Sequence, residues 1–267
     1  MSLLSTQFNA KYLEAIKEFR LINDTFFDIC FDENIEGIQL LLHIFLHRKD
    51  IIVKEVVTQR SANNLYGRSA RFDVIAVDNN GKIYNVEIQR SNEGANPKRA
   101  RFNTSLIDSR EINKSTKYKD FPEIWVIFIT EKDIFGAGVP LYHIGHIITE
   151  LNQPFNDEAH ILYVNGQYRG NDALGLLMHD FFCTAPAKMH YPELAKCVDY
   201  FKHNEKGVNT MCEIMEKLHE DGRQEGLTQG RSQMALDMLR DKKPIEEIIK
   251  YSRLTPEQVQ ELAQQLQ

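Results

Sequence analysis

Between residues 34 and 47, NIEGIQLLLHIFLH places Ile35, Ile38, Leu41, Leu42 and Phe45 at helical spacing, which predicts a helix with one buried face. DIIVKEVVTQ (50–59) is rich in β-branched residues and reads as a strand; SANNLYG (61–67) reads as a turn-rich loop. Two more strands, RSARFDVIAV (68–77) and KIYNVEIQR (82–90), flank DNNG (78–81), whose Asn and Gly tolerate the positive φ of a tight hairpin. After a short loop containing Pro97, residues 98–112 read as a helix. EIWVIFIT (123–130) is almost continuously apolar, which predicts a strand covered on both faces in the middle of a mixed sheet. A strand at HILYVNG (160–166) and a helix near 171–182 extend the order. The expected class is α/β, with an α-β-β-β-α-β core and a mixed sheet flanked by helices.

From about residue 186 the chain is mostly helical and charged, so the expected organisation is a domain over 1–185 and a helical C-terminal region over 186–267. Glycines at 222, 226 and 230 cost roughly 1 kcal/mol each relative to Ala inside a helix, which predicts a soft joint or frayed helix there. The competing reading is a close helix–helix contact through the glycine stripe. PIEEIIKYSRLTPEQVQELAQQL reads as two short amphipathic helices, with Thr255 as N-cap and Pro256 at the first helical position. The pair lacks an exposed basic face, so packing or oligomerisation is at least as good a role for it as DNA binding.

Composition narrows the setting. With 42% hydrophobic and 26% charged residues among 267, the chain can bury a sizeable core. A net charge of −6 argues against a protein that coats nucleic acid over its whole surface, yet leaves room for a local basic patch. Cys30, Cys183, Cys197 and Cys212 have no metal-site spacing and read as thiols in a reducing compartment. The N-terminus has no continuous apolar stretch of a secretory signal, and no membrane-length apolar run occurs. The expected location is the cytoplasm, with no membrane partner.

The chemistry concentrates on the hairpin. With Asn79-Asn80-Gly81 as a three-residue loop, facing residues have numbers that sum to 160, so Asp73 lies opposite Glu87. Opposed Cβ atoms are roughly 4.5–5.5 Å apart, close enough for two carboxylates to share one cation. Gln89 projects from the same face. The other face pairs Val74 with Val86, Phe72 with Ile88 and Ala76 with Tyr84, and a one-residue slip would bury the carboxylates. The acidic pair is therefore expected on a polar hairpin face. Two like charges held together call for a cation, and oxygen ligands favour Mg²⁺ or Mn²⁺ over zinc.

Residues 90–119 hold eight basic side chains (Arg90, Lys98, Arg99, Arg101, Arg110, Lys114, Lys117 and Lys119) against Glu93, Asp108 and Glu111, a surplus of five. Much of that charge sits on the helix after the hairpin, where it would grip phosphates; a solvated helix face is the plainer alternative. Glu55 on the preceding strand and Glu36 on the first helix are further candidate metal ligands, each more often a surface glutamate. His143 and His146 in YHIGH lack a third ligand for zinc, and Gly136-Ala137-Gly138 lacks the lysine and helix of a phosphate loop.

The run RFDVIAVDNNGKIYNVEIQR, followed by KRARF, FPEIWVIFIT and DIFGAGVPLYHI, closely resembles the PD-(D/E)xK nuclease family transposases over roughly residues 30–180. The resemblance implies a restriction-endonuclease-like core and a metal-dependent DNA endonuclease linked to transposition or recombination. Asp73 and Glu87 would be its acids, the backbone carbonyl of Ile88 a further metal ligand, and Gln89 the occupant of the usual lysine position. Gln orients water without adding charge, so Lys98 or Arg99 is a candidate source of the missing cation. The expected activity is hydrolysis of DNA by Asp73, Glu87 and Gln89 with Mg²⁺ or Mn²⁺, with Arg90, Lys98, Arg99 and Arg101 on the DNA. Double-strand cleavage would favour a homodimer, since one site cuts one strand. The alternative is an inactive, transposon-derived scaffold that binds DNA or protein.

Overall fold

A computed structural model of the chain describes residues 3–62, 69–91, 94–112, 115–264 and 266. Helices α1 (Leu3–Glu18), α2 (Asp24–Phe31) and α3 (Ile35–Leu46) lead into strands β1 (Val53–Ala62), β2 (Ala70–Asp78) and β3 (Ile83–Gln89). Helix α4 (Pro97–Glu111) joins β3 to β4 (Ile124–Thr130). Strands β5 (Leu141–Ile144), β6 (Ile147–Ile148), β7 (Gln153–Pro154) and β8 (Ala159–Asn165) follow. Helices α5 (Ala173–Phe182), α6 (Pro192–His203), α7 (Glu205–Arg240), α8 (Ile245–Ser252) and α9 (Pro256–Gln264) complete the chain.

The six-stranded sheet runs β1-β2-β3-β4-β8-β5, and β6 and β7 form a separate two-stranded ribbon. β1, β2 and β3 are antiparallel neighbours, β3, β4 and β8 are parallel, and β5 closes the far edge antiparallel to β8. The fold is thus the expected mixed α/β sheet flanked by helices. β4 lies between two strands, and six of its seven residues are buried, which explains its unbroken apolar sequence. The β5–β7 stretch was not foreseen, because two- to four-residue strands carry too short a pattern to read.

The hairpin turns as its sequence demands. Gly81 takes φ +80°, and Asp78 Oδ1 accepts the N–H groups of Asn80 and Lys82 at 2.8 and 3.0 Å, fixing the loop. Val74 pairs with Val86 and Ala76 with Tyr84, the register in which facing numbers sum to 160. The expectation of a polar, open face for the acidic pair is corrected here. α4 roofs that face: Ala100, Leu106 and Ile107 pack with Ile75, Ile83, Val126, Phe128 and Tyr163 in one buried cluster. Both faces of β3 are therefore covered, and its residues from Ile83 to Ile88 are all buried.

The chain divides into two compact units, Leu13–Val208 and Met1–Tyr12 with Asn209–Gln267. Residues 186–203 belong with the sheet because α6 packs on α2 and α3. The buried Lys202 also donates to the carbonyls of Lys17, Phe19 and Thr184 at 2.6–2.8 Å. In the second unit, Ala235, Ile248, Leu254 and Val259 of α7–α9 form a small core. Thr255 and Gln258 cap α9 reciprocally, each backbone N–H donating to the other's side chain. α7 runs through the glycines at 222, 226 and 230, where the sequence suggests a soft joint. Exposed pairs such as Glu220–Arg223 and the Gln229–Glu225 hydrogen bond support the helix on both sides. The turn-rich segment expected at 61–67 lies mostly outside the described residues, as do Arg68, Glu93 and Lys114; Ser61 and Ala62 belong to β1.

Candidate active site

The β2–β3 register sets Asp73 and Glu87 against one another. The Asp73 N–H donates to Glu87 Oε1 at 3.2 Å, and the Ile88 N–H donates to Asp73 Oδ2 at 2.9 Å. Glu87 is fully buried, and each oxygen of its carboxyl group has protein partners. Oε1 also accepts from Asn85 Nδ2 at 2.9 Å, while Oε2 takes Arg99 Nη2 at 2.6 Å. Arg99 is held by α4, whose N-cap Asn96 side chain accepts the Lys98 N–H and whose first position is Pro97. Its guanidinium also donates to the Gly94 carbonyl at 3.2 Å and lies 5.9 Å from the Phe128 ring centroid.

Gln89 follows Glu87 on the same face, at the entrance to the 91–96 connection. A Cβ at Gly94 would overlap Gln89 Oε1, so this side chain fits only against a glycine. The Ile88 N–H is committed to Asp73. Arg90 is exposed and pairs with Glu131 at 3.1 Å, whereas Lys98 and Arg101 are exposed on α4.

Two carboxyl groups that sequence reasoning missed complete the site. Asp24 and Asp28 stand one turn apart on α2, which lies against β1, β2 and β3. Burial, then the charge of Asp73, pushes the Asp28 carboxyl up to about 7. Asp24 is raised by burial and moderated by Arg90 and Arg99. Asp73 and Glu87 are raised too, both chiefly by burial, with Glu87 further raised by the charge of Asp73 and both lowered in part by Arg99. Gln59, which the β1–β2 register sets opposite Asp73, holds φ +52° and donates to Asp28 Oδ2. Asp28 Oδ1 is buried with no hydrogen-bond partner. The signal was present in DTFFDICFD, where acids recur every fourth residue beside the buried Phe26, Phe27, Cys30 and Phe31.

Crowded carboxyl groups that resist ionisation, with an orphaned buried acceptor among them, fit a hard divalent cation such as Mg²⁺ or Mn²⁺. Asp28, Asp73 and Glu87 could hold it, although their ligand atoms do not all lie within 4.8 Å of one another in this arrangement. The other sequence candidates lie elsewhere. Glu55 is exposed and pairs with Val77, four residues along β2 from Asp73, or about 13 Å at strand spacing. Glu36 is exposed on α3, beside a hollow lined by His43, Pro192 and Lys196. His146 pairs with Asp157, and the Gly136 and Gly138 N–H groups donate to Asp133, which leaves no phosphate loop.

Among the described residues, the one trio of His, Cys, Asp or Glu ligand atoms mutually within 4.8 Å is His179, Asp180 and His190. Asp180 is saturated there by the N–H groups of His190 and Tyr191, so the trio ties a loop to α5. No disulfide joins the described cysteines, and no described helix is long and apolar enough to cross a membrane.

A family model described as PD-(D/E)XK nuclease family transposase matches residues 21–167, which span α2 to the end of β8 and contain every acid of the hairpin site. Comparison with curated proteins and with solved structures gives no match.

Proposed function

The chain belongs to the PD-(D/E)XK nuclease family transposases, and from that premise we propose that it is a divalent-metal-dependent endonuclease that hydrolyses DNA phosphodiester bonds. The observation that carries the reading is the pairing of half-buried Asp73 with buried Glu87, together with the unpartnered Asp28 Oδ1. Asp28, Asp73 and Glu87, with the Ile88 carbonyl, would hold Mg²⁺ or Mn²⁺. Bound there, the cation supplies an acidified water and a positive charge facing the scissile phosphate.

The chain's own groups do the rest. Gln89 offers an amide that orients water by hydrogen bonds and cannot act as a base. Arg99 brings the positive charge that Gln89 lacks. Its 2.6 Å contact with Glu87 places a guanidinium at the site, where it can pair bidentately with a phosphate once Glu87 turns to a cation. Arg90, Lys98 and Arg101 would contact the backbone of the DNA without reading its sequence. Cysteines not joined in disulfides among the described residues support a reducing, cytoplasmic setting. The family description supports a role in transposition or recombination, and paired copies would serve double-strand cleavage.

The second reading, a DNA-binding scaffold that does not cut, is favoured by the same Arg99–Glu87 contact, which neutralises Glu87 without any cation. Nicking of supercoiled plasmid with Mg²⁺, Mn²⁺ or EDTA separates the two. Metal-dependent cutting that disappears in Asp73→Ala and Glu87→Ala supports the nuclease. No cutting with either metal, or cutting that survives both substitutions, transfers the assignment to the scaffold.

A further inference from the structure

A groove of about 870 Å³, lined in part by Arg99, opens between the start of β2, Ser91, Gly94 and Asn96, and the first turns of α4. Arg71, Lys98 and Arg101 line it, are exposed, and have no ion-pair partner among the described residues. Such a rim attracts an anion.

The groove also contains Asn103, and it asks for something else. Asn103 is 1% exposed, and its Nδ2 donates to Asn85 Oδ1 at 3.1 Å. That bond fixes the amide's orientation and leaves Asn103 Oδ1 as a buried acceptor with no partner. A buried acceptor left unmatched is costly, so a ligand that donates to it gains what the free protein lacks. A phosphodiester or an ionised carboxylate brings only acceptors and would satisfy the rim alone. Phe102, half-buried next to Asn103 and also lining the groove, adds an aromatic ring.

A cationic rim, a buried acceptor and an aromatic side chain together describe a nucleotide: phosphate on Arg71, Lys98 and Arg101, an amine or imide N–H of the base on Asn103 Oδ1, and the base stacked on Phe102. We infer that this groove takes an unpaired nucleotide of a DNA strand, so that the substrate of the neighbouring site is single-stranded or locally opened DNA. The geometry disfavours an intact duplex. Reading a base edge in a duplex needs a protein group that projects into the groove of the DNA, whereas Asn103 is buried in a recess of the protein. The base must come to Asn103, and it can do so only out of the helix.

The inference rests on the nuclease reading for its site but not for its test. Binding is measured by fluorescence anisotropy in EDTA, where no metal-dependent cutting occurs. The probes are a labelled mixed-sequence single strand, its duplex, and an all-abasic sugar–phosphate strand of equal length. The expected result is single-strand affinity at least tenfold above both duplex and abasic strand. Phe102→Leu, which keeps an apolar side chain against the core, should lower single-strand affinity about tenfold and leave abasic binding unchanged. Lys98→Ala with Arg101→Ala should weaken both strands alike. Thermal midpoints check that each variant is folded. Equal affinity for normal and abasic strands, tighter duplex binding, or no effect of Phe102→Leu would overturn the inference. Plasmid cutting without base-dependent binding defeats this inference alone; base-dependent binding without cutting defeats the nuclease reading and leaves the groove standing.

Discussion

Arg99 Nη2 lies 2.6 Å from Glu87 Oε2, joining the fully buried acid of β3 to the helix that roofs it. Glu87 resists ionisation because of its burial and because Asp73 sits beside it, and Arg99 opposes both effects. The guanidinium thus favours the ionised form of a buried carboxyl group and, on the nuclease reading, would face the reacting phosphate. Arg99→Gln should reduce single-turnover cleavage by about 10²–10³-fold, the range for losing one preorganised donor at a reacting oxyanion. Arg99→Lys should recover part of that activity, because charge returns without the bidentate fork. Wild-type rates in the glutamine variant would remove Arg99 from the chemistry.

Asp28 predicts the opposite signs for stability and for metal. Its Oδ1 is buried and unpartnered, and its carboxyl is held up to about 7 by burial and by Asp73. Asp28→Asn removes the charge while keeping the shape, so the metal-free protein should melt higher. Mn²⁺ affinity, read by calorimetry, should fall on the order of 10–100-fold, at least the penalty of disturbing a ligand's supporting contact. A variant that binds Mn²⁺ as tightly as wild type would exclude Asp28 from the ligand set.

The hairpin was legible because parity in a strand is strict. Val74, Ala76, Tyr84 and Val86 admit one register, and that register puts Asp73 across from Glu87. The central strand β4 was equally plain from its apolar run. What the pattern concealed was anything fixed by packing between elements distant in the sequence. Asp24 and Asp28 read as the polar side of an ordinary helix until α2 is seen against β1 to β3. Likewise, Asn85 and Glu87 read as solvent-facing until Asn103 and Arg99 come down on them from α4. The three glycines of α7 lie inside one continuous helix. Propensity charges each glycine separately, while a helix of 36 residues has many other hydrogen bonds to sustain it.

Raised carboxyl groups also dictate the pH response of the metal-free protein. Between the unfolded value near 3.8 and the folded value of about 7, Asp28 binds more proton in the folded state than in the unfolded chain. Stability from this group is therefore fully present at low pH and declines as pH rises through that window; Asp73 and Glu87 shift in the same direction. Discounted for partial exposure, the loss from Asp28 is about 1–2 kcal/mol, or a fall of roughly 2–8 °C in thermal midpoint between pH 5 and 8. Saturating Mn²⁺ should restore more at pH 8 than at pH 5, because the ligands must shed protons to bind it. A midpoint in EDTA that rises across this interval, tracked by circular dichroism, would contradict the assigned shifts.

Gly94 offers a way to move Gln89 without mutating it. A methyl group at position 94 would occupy the place of Gln89 Oε1, and the next nearest atoms are Gln89 Cδ at 3.0 Å and Ser91 Oγ at 3.4 Å. Gly94→Ala should therefore displace the Gln89 side chain and leave the buried cluster beneath α4 intact. If the Gln89 amide orients the attacking water, cleavage should drop about 10²-fold, comparable to a misplacement of 1 Å at a reacting group. The thermal midpoint should change by only a degree or two. Gln89→Ala should give a similar loss, and the double variant should be no worse than either single one, since both act through the same amide. Additive losses would mean that Gly94 serves the backbone of the 91–96 connection instead, and that Gln89 owes nothing to the space this glycine leaves open.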